Sequence, residues 1–272
     1  MLKPTILYIL SMQALTANAF SVGESMVASS DLAVGIAKFA TIVALANSLA
    51  MAVAPRAMLK LYKAPTGPMN SHVHKFMGIT GLAYGIVLFC SIMLNMPFRE
   101  AVGYSLIPWV LVGTWDAVTR VDKRLGISPA NFLVNVLVGP VIAYLCLTNH
   151  PYADTTVKIY SAGIALDGLY ASLSPDSHTK AWKGNNPKNE PIMESSIRTL
   201  GLYLLAYGLL MLSMGLLHVP VVPAVGLTWI CFLLCAVLPL LVPTAKKFSL
   251  SKSSIVAWLL PNLIIIAGTT LL

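Results

Sequence analysis

The chain has 272 residues and a net charge of +8, yet only 10% of its residues are charged and 57% are hydrophobic, with a mean hydropathy of +0.78. A soluble domain carries about 25% charged residues, so water is not the main solvent here, and no compact basic region exists to hold nucleic acid. The four cysteines, Cys90, Cys146, Cys231 and Cys235, all lie in apolar stretches without C-x-x-C spacing. Neither a disulfide framework nor a zinc site is expected from them.

Residues 1–19 read as a targeting segment. Lys3 gives a positive start, Ile6 to Leu10 begin a short apolar core, and Ala17-Asn18-Ala19 is a small-x-small cleavage site. Cleavage after Ala19 leaves Phe20 first. A serine-rich stretch follows (Ser21, Ser25, Ser29, Ser30), and residues 20–32 form a short presequence or linker. The Ala17-Asn18-Ala19-Phe20 junction resembles that of the bipartite presequences of proteins sent to the complex plastids of diatoms and related algae. That resemblance implies a plastid membrane. The plain reading of the same residues is a secretory signal.

Eight apolar spans follow, each about 20 residues long, the length that crosses a bilayer as a helix. The first four cover about 33–54, 76–96, 101–119 and 129–148, and the second four about 156–174, 199–219, 222–243 and 253–272. A linker at 149–155 divides the two sets. Pro108, Pro140, Pro239 and Pro261 fall within spans, where lipid tolerates them if neighbours satisfy the freed carbonyls.

The two sets repeat one another. Pro55-x4-Lys60-x-Tyr62-Lys63 returns as Pro175-x4-Lys180-x-Trp182-Lys183, an offset of 120 residues. Leu82-Ala83-Tyr84-Gly85 returns as Leu205-Ala206-Tyr207-Gly208, and Pro97-x3-Ala101-Val102-Gly103 as Pro220-x3-Ala224-Val225-Gly226, both at 123. The expected fold is therefore all-α: a polytopic membrane protein with eight transmembrane helices in two tandem four-helix repeats, 33–148 and 156–272. Four is an even number, so both repeats insert the same way up, related by a pseudo-twofold axis along the membrane normal. Each copy is similar to four-helix membrane units of the DoxX-like kind, with an early Pro, a Lys-x-Tyr stretch and a glycine-rich second helix; no activity is carried across from that likeness.

Charge sets the orientation. The loops after the first and third span of each repeat hold Arg56, Lys60, Lys63, Lys75, Arg120, Lys123 and Arg124, then Lys180, Lys183, Lys188, Arg198, Lys246, Lys247 and Lys252. These are 14 of the 18 basic residues, and eight spans put all of them on one face. The positive-inside pattern makes that face cytosolic or stromal, with both termini opposite.

Ionisable groups at membrane depth are expensive, about 2.5–3.5 kcal/mol for a central Asp on insertion scales. Asp167 sits mid-span, and its counterpart is Asn47; each lies eight residues before the proline that ends its span (Pro175, Pro55). Tyr84 and Tyr207, on the following spans, reach similar depth. The matched depth predicts the pairs Asn47–Tyr84 and Asp167–Tyr207, as interhelical hydrogen bonds or as a protonatable site facing a cavity. Asn131 and Asn135 share a face of the fourth span and are cavity or cross-helix candidates. Gly78, Gly81 and Gly85, with Gly201 and Gly208, read as a close-packing seam. Asp116 is expected to pair with Arg120 at i,i+4. His72-x-His74 reads as a solvated loop, and no metal site or catalytic set is predicted.

The expected function is a small-solute carrier or channel, with a scaffold and an intramembrane enzyme as the alternatives. A small-solute carrier or channel would hold its site between the repeats, near Asn47, Asp167, Tyr84 and Tyr207. A non-transporting scaffold or assembly factor would bind membrane partners and show a tightly packed centre. An enzyme acting on a lipid-soluble substrate would need a lipid-open pocket with convergent Tyr, Asp and His. The bilayer is the one partner common to all three, and no cofactor is specified.

Overall fold

The computed structural model describes residues 31–61, 64–128, 134–183, 194–241 and 252–271. The leader at 1–19, and Asn131, lie outside the described residues, as does the side chain of Asn135. The described chain is helical, with no strand. Its principal helices are α1 (Asp31–Val53), α2 (Pro55–Leu61), α3 (Pro68–Leu88), α4 (Phe98–Val118), α5 (Val121–Leu125) and α6 (Gly139–Leu147) in the first half. The second half holds α7 (Ala153–Leu173), α8 (Pro175–Lys183), α9 (Glu194–Gly215), α10 (Val221–Leu241) and α11 (Lys252–Thr270). A π-helical turn, Phe89–Met93, extends α3, and another, Val134–Val138, leads into α6.

Among the described residues four helical stretches are long and apolar enough to cross a membrane: Asp31–Val53, Pro68–Met93, Phe98–Val118 and Glu194–Gly215. Shorter apolar helical stretches run over Val136–Leu147, Val221–Cys235 and Leu259–Thr270. This set is compatible with a multi-pass membrane protein. The burial pattern of α1 fits lipid rather than water. Its packed face is Ala33, Ala37, Ala40, Thr41, Ala44, Ser48 and Met51, almost all small, while Leu32, Phe39, Ile42, Leu49 and Val53 point outward. A contiguous apolar stripe of that length marks a surface that meets lipid or a partner. In α7 the arrangement recurs: Ala153, Val157, Ser161, Ala165, Gly168 and Ala171 face inward, and Ile159, Leu166, Tyr170 and Leu173 face out.

Helix α3 packs against α1 on one side and α4 on the other; α9 packs against α7 and α10 in the same way. The two central helices α3 and α9 also pack on each other. Helices α4 and α6 form one flanking pair and α10 and α11 the other, with α6 touching α7 and α11 touching α1. Along their apolar stretches α3 and α9 are 67% buried, against 33% for α1, which places the core at the α3–α9 contact.

The turn that ends each central helix is built twice. Met96 N–H donates to Cys90 O at 2.9 Å, and Val219 N–H to Ser213 O at 2.9 Å. Asn95 and His218 both take positive φ, at 50° and 53°, ending the helix in the left-handed region. Ala101 N–H and Ala224 N–H then bond to Pro97 O and Pro220 O, each at 3.1 Å, as α4 and α10 begin.

Helix α3 starts at Pro68, well before the span start at 76 that hydropathy predicts. Proline suits a first helical position because its missing N–H has no intrahelical use there. His72 and His74 are therefore not in a solvated loop: they lie in the early turns of α3, each 7% exposed.

Candidate functional site

The two predicted pairs, Asn47–Tyr84 and Asp167–Tyr207, do not form, and each of the four side chains has another partner. Tyr84 Oη lies 2.8 Å from Thr228 Oγ1 on α10, and Tyr207 Oη lies 2.7 Å from Ser105 Oγ on α4. Thr228 gives its own proton to Ala224 O at 2.8 Å, and Ser105 gives its proton to Val102 O at 2.7 Å. Each tyrosine is therefore the donor, and each small hydroxyl relays the bond to a helix carbonyl. All four residues are fully buried, at 0% exposure. The offset of 123 that relates Tyr84 to Tyr207 also relates Ser105 to Thr228. Each half thus reaches into the other by the same bond. Around Tyr84 the aromatic rings of Phe232 and Trp229 stand at 5.2 Å and 6.1 Å, and Phe232 also meets Tyr203 at 4.9 Å.

Asn47 donates from Nδ2 to Tyr203 Oη on α9 at 3.3 Å rather than to Tyr84. Asp167 does not face Tyr207 either. Its side chain is 50% exposed and its Oδ1 lies 3.3 Å from Nε2 of the buried His178, which α8 folds back toward α7. The reason is azimuth. Consecutive helical residues point about 100° apart, and the inward face belongs to their neighbours, Ser48 and Gly168.

Those neighbours belong to a seam of close helix approach. A Cβ on Gly78 would strike Ala52 N and lie 2.7 Å from Ser48 O; on Gly201 it would lie 2.6 Å from Ser172 N and 2.7 Å from Gly168 O. A Cβ on Gly85 would lie 2.7 Å from the Leu45 side chain, and on Gly208, 2.6 Å from Ala165 N. At Gly78, Gly201 and Gly208 the neighbour is backbone, so only a residue without a side chain permits the approach, which brings dispersion contacts within range along both the α1–α3 and α7–α9 seams.

A separate polar feature opens at one end of the first half. The α1–α3 connection and the α4–α5 turn meet there and enclose a cleft of about 430 Å³, lined by Arg56, His72, Lys75, Trp115, Asp116 and Arg124 among others. Lys75 Nζ lies 2.7 Å from Asp116 Oδ1, with side-chain exposures of 23% and 1%. Asp116 Oδ2 is buried with no hydrogen-bond partner among the described residues. The expected Asp116–Arg120 pair is absent because α4 ends at Val118 and Arg120 takes φ 52°, so the regular i,i+4 geometry stops before it. His72 packs its ring edge against Phe76, 4.8 Å between centroids.

The repeat does not account for this cleft. The counterparts of Lys75 and Asp116 are Arg198 and Pro239, and that of Arg56 is Asp176. Arg198 is taken up by Glu194 Oε1 at 2.6 Å and by Ser172 O at 2.6 Å. Among the described residues no three His, Cys, Asp or Glu side chains converge to hold a metal ion. No protein-family model, curated protein or solved structure matches this chain.

Proposed function

We propose that the chain is an eight-span membrane protein of two parallel four-helix repeats, and that it serves as a non-transporting structural component of its membrane. The observation that carries this reading is the reciprocal pair of buried bridges, Tyr84 to Thr228 and Tyr207 to Ser105. They join the halves where a carrier of this architecture would open its site, and all four side chains have no exposed surface. The outward position of Asp167 points the same way, since a coupling carboxylate belongs against a central cavity.

The parallel-repeat reading is supported by the helix pairings. Exchanging the halves maps α1–α3 onto α7–α9, α3–α4 onto α9–α10, α4–α6 onto α10–α11, and α6–α7 onto α11–α1. Such a pattern follows from a twofold relation between the halves, and an even number of spans in each half makes that relation parallel. The 14 basic loop residues then share one face, cytosolic or stromal, and the Ala17–Phe20 junction suggests a plastid membrane.

The test is thiol accessibility. Ser105→Cys and Thr228→Cys, each in a chain whose four native cysteines are replaced, are reconstituted in liposomes and treated with a membrane-impermeant maleimide from either side. The structural reading expects modification only after denaturation. Modification of the folded protein would replace it with the carrier or channel reading, because water would then reach the contact between halves.

A further inference from the structure

We propose that the cleft between α2, α3, α4 and α5 is a binding site for a phosphate group, carried by a lipid headgroup or by a free anion.

Charge is the first argument. Arg56, Lys75 and Arg124 line the cleft against one carboxylate, Asp116, leaving two positive charges in excess. Lys75 and Asp116 pair with each other, and the carboxylate is 1% exposed while the ammonium reaches the cleft at 23%. An entering anion therefore meets the lysine and not the aspartate. Neither Arg56 nor Arg124 has a carboxylate partner among the described residues. Guanidinium groups match phosphate oxygens with paired, charge-assisted hydrogen bonds.

The second argument is the backbone. Helix α3 opens on the cleft through Pro68 and Ser71. It has 21 residues, no acidic side chain in its first turn, and no side-chain cap from Gly67. Its N-terminal end carries the equivalent of about half a positive charge, which favours an anion there. The size is suitable as well: about 430 Å³ lies within the range of small-ligand sites.

The third argument is asymmetry. Packing features of this chain come in pairs, one per repeat, whereas the full set of Arg56, Lys75, Asp116 and Arg124 does not recur in the sequence, although Arg198 and Lys247 keep two of its basic charges. In the second half, Asp176 stands where Arg56 would be and Pro239 where Asp116 would be. A requirement of the fold alone would be expected in both copies. Trp115, 64% exposed at the cleft's edge, supplies the apolar surface that a glycerol backbone or acyl chain would cover.

The experiment uses the full chain purified in a neutral detergent, titrated separately with inorganic phosphate, short-chain phosphatidic acid and short-chain diacylglycerol, with affinity read by isothermal calorimetry. The expected result is saturable binding of at least one phosphate-bearing probe and none of diacylglycerol. The Arg56→Gln/Arg124→Gln variant should weaken that binding at least about tenfold, while Lys158→Gln, on α7, leaves it unchanged. Both arginines are exposed, so the double variant should elute as the parent does on size exclusion. Binding of phosphatidic acid alone would assign the site to lipid; binding of inorganic phosphate at equal affinity would assign it to a soluble anion. No binding of either, equal affinity in the folded double variant, or equal binding of diacylglycerol would overturn the proposal. This outcome is independent of thiol accessibility at the midplane.

Discussion

Tyr84 and Thr228 stand 144 positions apart and join the two halves through a 2.8 Å hydrogen bond in a region with no access to water. The bond is one of a related pair, the other being Tyr207 to Ser105 at 2.7 Å. Because Thr228 and Ser105 also bond to carbonyls of their own helices, the loss of either tyrosine hydroxyl leaves no small hydroxyl wholly unpaired.

That arrangement sets the scale of the first prediction. Tyr84→Phe and Tyr207→Phe should each destabilise the protein by about 0.6 kcal/mol and at most about 1.7 kcal/mol, the range of interhelical hydrogen bonds in lipid. A double-mutant cycle of Tyr84→Phe with Thr228→Val, followed by unfolding in mixed micelles, should return a coupling of the same size. A coupling of zero would mean that the bond contributes nothing across the halves.

The glycines separate two roles that composition alone does not distinguish. Gly78→Ala and Gly201→Ala place a methyl against backbone of the neighbouring helix, and overpacking of that kind costs about 1–3 kcal/mol. A Cβ added at Gly35 on α1 or at Gly163 on α7 would meet no atom within 4 Å. Replacing either with Ala should be neutral or stabilising, by up to about 1 kcal/mol from helix propensity. Thermal unfolding of the four variants in detergent checks the ordering.

The Lys75–Asp116 pair gives an asymmetric prediction. Lys75→Met strands a carboxylate that is 1% exposed, and breaking a buried pair from that side costs about 3 kcal/mol. Asp116→Asn leaves an ammonium that already reaches the cleft, so the loss should be smaller, about 1 kcal/mol. The double variant should recover part of the Lys75→Met loss. Equal losses from the two single variants would show that Asp116 is better solvated than its position indicates.

The helical class and the duplicated turns after α3 and α9 were legible because proline and small residues mark them at a fixed spacing. The tyrosines stood out for the same reason. Their partners did not, because matched depth says nothing of azimuth, and Ser105 and Thr228 look like ordinary small residues in apolar helices. Only the shared offset of 123 links them to the tyrosines, and it is visible once both pairs are compared. The cleft was hidden for a different reason. Asn70, Ser71, His72, His74 and Lys75 have the composition of a loop, yet they pack as the first turns of α3. Polar residues at a helix end escape a hydropathy reading whenever a neighbouring segment covers them. The ion pair to Asp116 then spans 41 residues, beyond any local motif.

Sidedness yields the last prediction, and it follows from which ends of the helices meet. Arg56 and Arg124 line one cleft, so the α1–α3 and α4–α5 connections share an end of the first half. Arg99, at the start of α4, pairs with Asp154, at the start of α7, at 2.6 Å, so the α3–α4 and α6–α7 turns meet elsewhere. If the helices cross the bilayer as proposed, single cysteines at Lys60, Arg120 and Lys180 should react with an impermeant maleimide from one side of sealed vesicles. Cysteines at Asn95, Asn149 and His218, the positive-φ residues of the other turns, should react only from the opposite side. Lys60 and Lys180 reacting from different sides would refute parallel repeats, since an inverted pair places equivalent loops on opposite faces. Asn95 reacting with Lys60 would instead mean that α3 does not cross, and the span count would fall.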